Sequence, residues 1–164
     1  MDIGLYSITP IYSRYLATFA CGKFRMKILV IDNTEQLAAL FDFNIDVVYF
    51  SDEIQALNAA EQCQPEMIFL NYLIRGEQTP EYIQLLLGVA RASKLVVIGN
   101  DTSEEEIFRC LLTGAKGYQD KQQLPDYINK LIQVVAEGEA WISRKMVARV
   151  LDTIWKLDMH PMVA

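Results

Sequence analysis

Four short runs made wholly of apolar residues, 28–31 (ILVI), 47–50 (VVYF), 67–70 (MIFL) and 95–98 (LVVI), constrain this chain more than any other feature. A strand with one face in water alternates apolar and polar residues. A strand apolar on both faces has to be covered twice, as in a parallel sheet flanked by helices. Helical spacing fills the intervals. Leu37, Leu40 and Phe41 predict a short first helix reaching only to Asn44. Ser51 or Asp52 caps a second helix that carries Ile54, Leu57 and Ala60 and stops at Gln64-Pro65. A third spans 82–90, and Ser103-Glu104-Glu105-Glu106 opens a fourth that runs through Leu112, with Gly114 placed for a left-handed cap. A brief fifth strand at 117–119 precedes a fifth helix over 124–137, with Pro125 in its first turn. Five strand-helix repeats predict an α/β fold, a doubly wound five-stranded parallel sheet.

Composition removes several function classes. The 164 residues allow one ordinary domain with short extensions, and 52% hydrophobic against 22% charged residues is a globular balance. A net charge of −6 argues against a broad basic face for nucleic acid, which needs clustered Lys and Arg. Cys21, Cys63 and Cys110 form no CxxC pair, so neither a disulfide framework nor a zinc site is indicated, and a reducing, cytoplasmic setting is expected. Cys63 and Cys110 fall in helical patterns and are expected to be inert buried thiols. The single histidine, His160, leaves His-based triads and metal sites nothing to build from. No apolar run approaches the roughly 18 residues of a spanning helix, so no membrane association is expected. Residues 1–25 make a poor signal peptide, with Asp2, Pro10 and Arg14 interrupting the apolar part, and read as an N-terminal extension ahead of the pattern that opens at Met26.

In a doubly wound sheet the ligand site lies beyond the carboxyl ends of the strands, where strand order reverses. This singles out Asp32, Asn33, Asn71, Gly99, Asn100 and Lys121. No glycine-rich phosphate loop follows the first strand, which weighs against a nucleotide-binding module. At these residues, over 26–137, the chain resembles the receiver domain of two-component response regulators. The stretch Leu112-Thr113-Gly114-Ala115-Lys116-Gly117-Tyr118 followed by Lys121 is similar to the family's GAxGYxxK segment, and Pro65 to Asn71 to its PDxxxxD strand. Glu139-Ala140-Trp141-Ile142-Ser143 and a helix to about Leu157 resemble the linker of the LuxR-type transcriptional subfamily, so 138–164 reads as a linker helix and tail.

The resemblance implies a flavodoxin-like receiver fold and a pocket in which an acidic pair and a strand-end aspartate hold Mg²⁺ while the aspartate accepts a phosphoryl group. Carried over, the pair falls on Asp32 and Asn33, the acceptor on Asn71, the switch hydroxyl on Gly99, the conformational aromatic on Tyr118 and the lysine on Lys121. Three of these positions depart from the pattern. A neutral carboxamide forms no stable acyl phosphate, one remaining carboxylate is a poor Mg²⁺ donor set, and glycine offers no hydroxyl. The expectation is a degenerate pocket with no enzymatic activity, cofactor or metal, in which Lys121 pairs with Asp32 or donates to the Asn71 carbonyl. Tyr118 then reads as a packing residue, and the Glu104–Glu106 run as a helix cap. The function expected is a phosphorylation-independent receiver in transcriptional regulation that binds a protein partner or itself as a homodimer, with Trp141, Val147, Leu151 and Trp155 as the candidate interface residues. DNA would be reached only through an additional domain not present in this chain. The competing expectation is a phosphorylatable receiver with a non-standard acceptor such as Asp32.

Overall fold

The structure is a computed structural model and describes residues 25–34, 36–42 and 45–158. The four apolar runs and the short stretch from Gly117 form five parallel strands: β1 (Lys27–Ile31), β2 (Asp46–Phe50), β3 (Met67–Asn71), β4 (Lys94–Gly99) and β5 (Gly117–Asp120), in the order β2-β1-β3-β4-β5. Five helices accompany them: α1 (Glu53–Cys63), α2 (Thr79–Val89), α3 (Glu104–Leu112), α4 (Leu124–Ala136) and α5 (Arg144–Asp158). Each strand matches its sequence-based expectation to within a residue or two, and the three central strands β1, β3 and β4 are buried on both faces.

Alternate residues of each strand enter different cores. Leu29, Ile31, Ile68, Leu70, Leu95 and Val97 face Ala56 and Ala60 of α1 and Tyr82, Ile83 and Leu86 of α2. On the other side Ile28, Val30, Met67, Phe69, Val96 and Ile98 meet Leu124, Ile128, Leu131, Ile132 and Val135 of α4. The helix starts follow local chemistry. Asp52 accepts from the Ile54 and Gln55 backbone N–H groups at 3.0 and 2.8 Å, and Ser103 with Glu106 forms a reciprocal capping box on α3. Gly114 has φ +116°, the left-handed turn expected after α3.

The expected first helix is not formed: its residues give only a single 3₁₀ turn, Ala38–Leu40. A helix running back along a five-residue strand of about 17 Å needs roughly 11 residues. Too little of residues 32–45 is left for that once the turns at both ends are made. Leu37 plugs the core instead, and Phe41 packs edge-on against Phe69 with ring centroids 5.4 Å apart. β2 is only partly buried along its length as a result. Asn44, residues 1–24 of the N-terminal extension, Cys21 and His160 lie outside the described residues.

The chain after α4 returns to the sheet. Trp141 pairs with Gly117 in a one-residue parallel bridge, its N–H donating to Lys116 O at 2.9 Å and its carbonyl accepting from Tyr118 N–H at 3.1 Å. The indole N–H donates to Gln119 Oε1 at 2.9 Å, and the ring lies 6.2 Å from that of Tyr127. α5 then packs on α3: Met146 is buried, Lys145 pairs with Glu104 at 3.0 Å, Arg149 pairs with Glu105, and the Arg149 guanidinium sits 4.0 Å from the Phe108 ring centroid. The glutamates that open α3 therefore divide their work, Glu106 capping the helix and Glu104 and Glu105 anchoring α5. No described helix is long and apolar enough to cross a membrane.

Candidate functional site

Strand order reverses between β1 and β3, and the loops leaving these strands gather Asp32, Thr34, Asn71 and Lys121. Asp32 and Asn71 are buried, at 0% and 2% exposure, so every polar atom they carry needs a partner within the protein. The Asn71 amide Nδ2 donates to Asp32 Oδ1 at 2.6 Å, while Asn71 Oδ1 accepts from the Leu73 backbone N–H at 3.0 Å. Turning the amide over would set an oxygen against a carboxylate and an NH₂ against an N–H, so its orientation is fixed by its neighbours. The Thr34 hydroxyl donates to Asp32 Oδ2 at 2.7 Å and accepts from Lys121 Nζ at 2.8 Å. The Asp32 carbonyl accepts from the Tyr49 hydroxyl.

Lys121 thus reaches Asp32 through Thr34, rather than pairing with it directly or donating to the Asn71 carbonyl, which Leu73 already occupies. Its backbone N–H is tied to Gly99 O at 2.7 Å, which fixes the start of the lysine side chain over the ends of β4 and β5. Asn33 is exposed and takes no part in this network. Thr34 escapes sequence reasoning because its role depends on Lys121, 87 positions away; the only local hint is a hydroxyl two residues after Asp32.

The donor set does not suit Mg²⁺. That ion takes an octahedron of hard oxygens, usually including carboxylates, whereas among the described residues of this cluster Asp32 is the single carboxylate and Asn71 turns its NH₂ toward it. Among the described residues no group of three His, Cys, Asp or Glu side chains is close enough to hold a metal. Both Asp32 oxygens are engaged by neutral donors within a closed network.

Gly99 ends β4 where a side chain would meet other groups. A Cβ there would lie inside van der Waals contact of Thr102 Oγ1 and 2.7 Å from the Tyr118 hydroxyl. Thr102 Oγ1 is buried beside the Tyr118 hydroxyl, and burial pushes the Tyr118 phenol above its ordinary pKa. The absent side chain at 99 is what lets the Thr102 hydroxyl and the Tyr118 ring share this space, with Tyr118 turned inward. Gly99→Ala is expected to cost about 1–2 kcal/mol by overpacking and to displace Tyr118, read by chemical denaturation and by the near-ultraviolet tyrosine signal. An unchanged signal with unchanged stability would contradict this packing. Thr102, like Thr34, carries no sequence signal beyond lying three residues past Gly99.

Beside the pocket, the Tyr72 hydroxyl donates to Glu106 Oε1 at 2.8 Å, joining the loop after β3 to the first turn of α3. Hydrogen bonds from Ser103, then from Tyr72, hold the Glu106 carboxyl below the usual carboxylate range. Burial pushes the Cys63 and Cys110 thiols up to about 11, leaving them protonated and poor nucleophiles at neutral pH. The candidate interface residues separate in space: Trp141 is half-buried against its own domain, whereas Val147, Leu151 and Trp155 are exposed on α5.

No protein-family model matches the chain. It is 25% identical over 127 residues to the nitrate/nitrite response regulator protein homolog of Haemophilus influenzae, covering 73% of this chain and 61% of that protein. It is 27% identical over 92 residues to the nitrate/nitrite response regulator protein NarL of Escherichia coli K12, covering 56% and 43%. The chain therefore spans only about half the length of the curated relatives it matches. Among solved structures it superposes on the isolated REC domain of RcsB from Salmonella enterica serovar Typhimurium with TM-score 0.66 at 15% identity, over 78% of this chain and 99% of that one. A LuxR-family two-component response regulator from Aurantimonas sp. gives 0.65 at 14% identity, over 79% and 97%. The fold is that of response regulator receiver domains, and in sequence the chain is similar to nitrate/nitrite response regulators.

Proposed function

We propose that this chain is a degenerate receiver domain, independent of phosphorylation, that works as a protein interaction and dimerisation module in transcriptional regulation of the NarL/LuxR kind. DNA would be engaged only through a further domain. The observation that carries this reading is the Asn71 amide donating to Asp32 at 2.6 Å in a buried pair. A receiver pocket that transfers phosphoryl groups needs a carboxylate nucleophile and a cation to neutralise developing charge. Here the amide supplies a hydrogen-bond donor to the remaining carboxylate, doing locally what a cation would otherwise do. The alternative acceptor, Asp32, is fully buried with both oxygens accepting hydrogen bonds, so it has no free lone pair aimed at solvent. Signalling would then run through the abundance, or the partner, of a permanently formed surface.

The test is incubation with acetyl phosphate and Mg²⁺ followed by intact-mass measurement. The expected result is an unchanged mass, together with no heat of Mg²⁺ binding by calorimetry at millimolar concentration. A stoichiometric phosphoryl adduct would overturn the reading, and its mapping to Asp32 would establish the non-standard acceptor.

A further inference from the structure

α5 has two faces. Met146, Arg149, Val150 and Thr153, at spacing i, i+3, i+4 and i+7, are its more covered residues, on the side that docks against α3. Turned away from these are Val147, Leu151, Ile154 and Trp155, at i, i+4, i+7 and i+8, exposed by 39%, 51%, 47% and 67%. A four-residue apolar stripe ending in a two-thirds exposed tryptophan is costly to leave in water. Arg144 and Asp158 lie on the same stripe, seven residues before and seven after Leu151. Both are exposed, and neither makes an ion pair among the described residues.

We infer that this face of α5 pairs with α5 of a second copy, antiparallel, about a two-fold axis at Leu151. The inference rests on reading the chain as a docking module and names its partner and register. In that arrangement each position before Leu151 faces the equally distant position after it. Arg144 meets Asp158 twice, once at each end. Val147 meets Trp155, and Ala148 meets Ile154, so small residues face large ones, and Leu151 meets itself at the centre. A parallel pairing would set Arg144 against Arg144, Asp158 against Asp158 and Trp155 against Trp155. Charge and volume therefore select the antiparallel form, in which the helix dipoles also oppose one another. Lys145 and Arg149 remain on α3, so the docked helix presents its stripe without rearrangement.

The test uses the full 164-residue chain. By sedimentation equilibrium the wild type is expected to form dimers. Arg144→Asp and Asp158→Arg are each expected to weaken the dimer at least tenfold, and the two combined to restore it, since the combined change exchanges the partners. Leu151→Cys is expected to form a disulfide-linked dimer under mild oxidation, which the wild type and Ala148→Cys do not. Two copies of residue 148 would sit about 9 Å apart along the axis, beyond disulfide reach. All substituted positions are exposed, and thermal unfolding checks that each variant folds. A wild type that stays monomeric at every concentration overturns the inference. So does a dimer indifferent to all three positions. These outcomes are independent of phosphoryl transfer: a phosphoryl adduct on an intact dimer would overturn the function proposed above and leave the pairing standing.

Discussion

Replacing Asn71 by Asp is expected to destabilise the protein by about 3 kcal/mol at neutral pH. The Nδ2 that donates to Asp32 at 2.6 Å would become a carboxylate oxygen at the same place, facing the other carboxylate. Two buried carboxylates at that separation cannot both ionise, so the introduced group retains a proton and its folded pKa stands above the roughly 3.9 of an unfolded aspartate. The folded state then binds that proton more tightly than the unfolded chain does. The deficit relative to wild type is therefore small below the unfolded pKa and grows as pH rises through the folded one. Urea denaturation of both proteins at mildly acidic and at neutral pH measures this. A deficit that fails to narrow on acidification would mean that Asp32 and Asn71 are not held against each other.

The second large effect is expected at Gly117. A Cβ there would lie 2.6 Å from the Trp141 carbonyl oxygen and 2.7 Å from its Cβ, so the backbone itself has to move. Gly117→Ala is expected to open the bridge, losing the Tyr118 N–H to Trp141 O and Trp141 N–H to Lys116 O hydrogen bonds, at a cost of roughly 2–4 kcal/mol. The indole would leave Gln119 and Tyr127, and its fluorescence would shift to the red. The chain's other tryptophan, Trp155, is removed from the signal by comparing the two proteins in a Trp155→Phe background, so the shift reports Trp141. Cleavage by a protease within 138–143 should accelerate in parallel. Wild-type fluorescence and stability would show that the return of the chain to β5 does not hold the start of α5.

The site was partly legible beforehand, and the line between what could and could not be read follows contact distance along the chain. Asp32 and Asn71 stand at strand ends that hydrophobic runs mark plainly, so their meeting follows once the sheet is parallel and wound twice. That Asn71 would be turned to donate to Asp32 depends on the Leu73 N–H claiming its oxygen, a matter of backbone direction in the turn after β3. Thr34 and Thr102 are commonplace residues until Lys121 and Tyr118 arrive from far along the chain. The run Glu104-Glu105-Glu106 reads locally as a helix start, and only the return of α5 gives two of its members partners.

The sequence by itself determined the five strands, the caps Asp52 and Ser103 and the turn at Gly114. Each of these is set by burial or hydrogen bonding within a few residues, where chain connectivity guarantees the neighbours. Tertiary structure alone decided that the first helix shrinks to Ala38–Leu40, that Thr34 stands between Lys121 and Asp32, and that Trp141 is tied to Gly117 while Leu151 and Trp155 stay in solvent. The physical reason is common to all three. Apolar spacing records that a face must be covered, whereas what covers it depends on the distance the intervening chain has to span and on which polar groups reach it first.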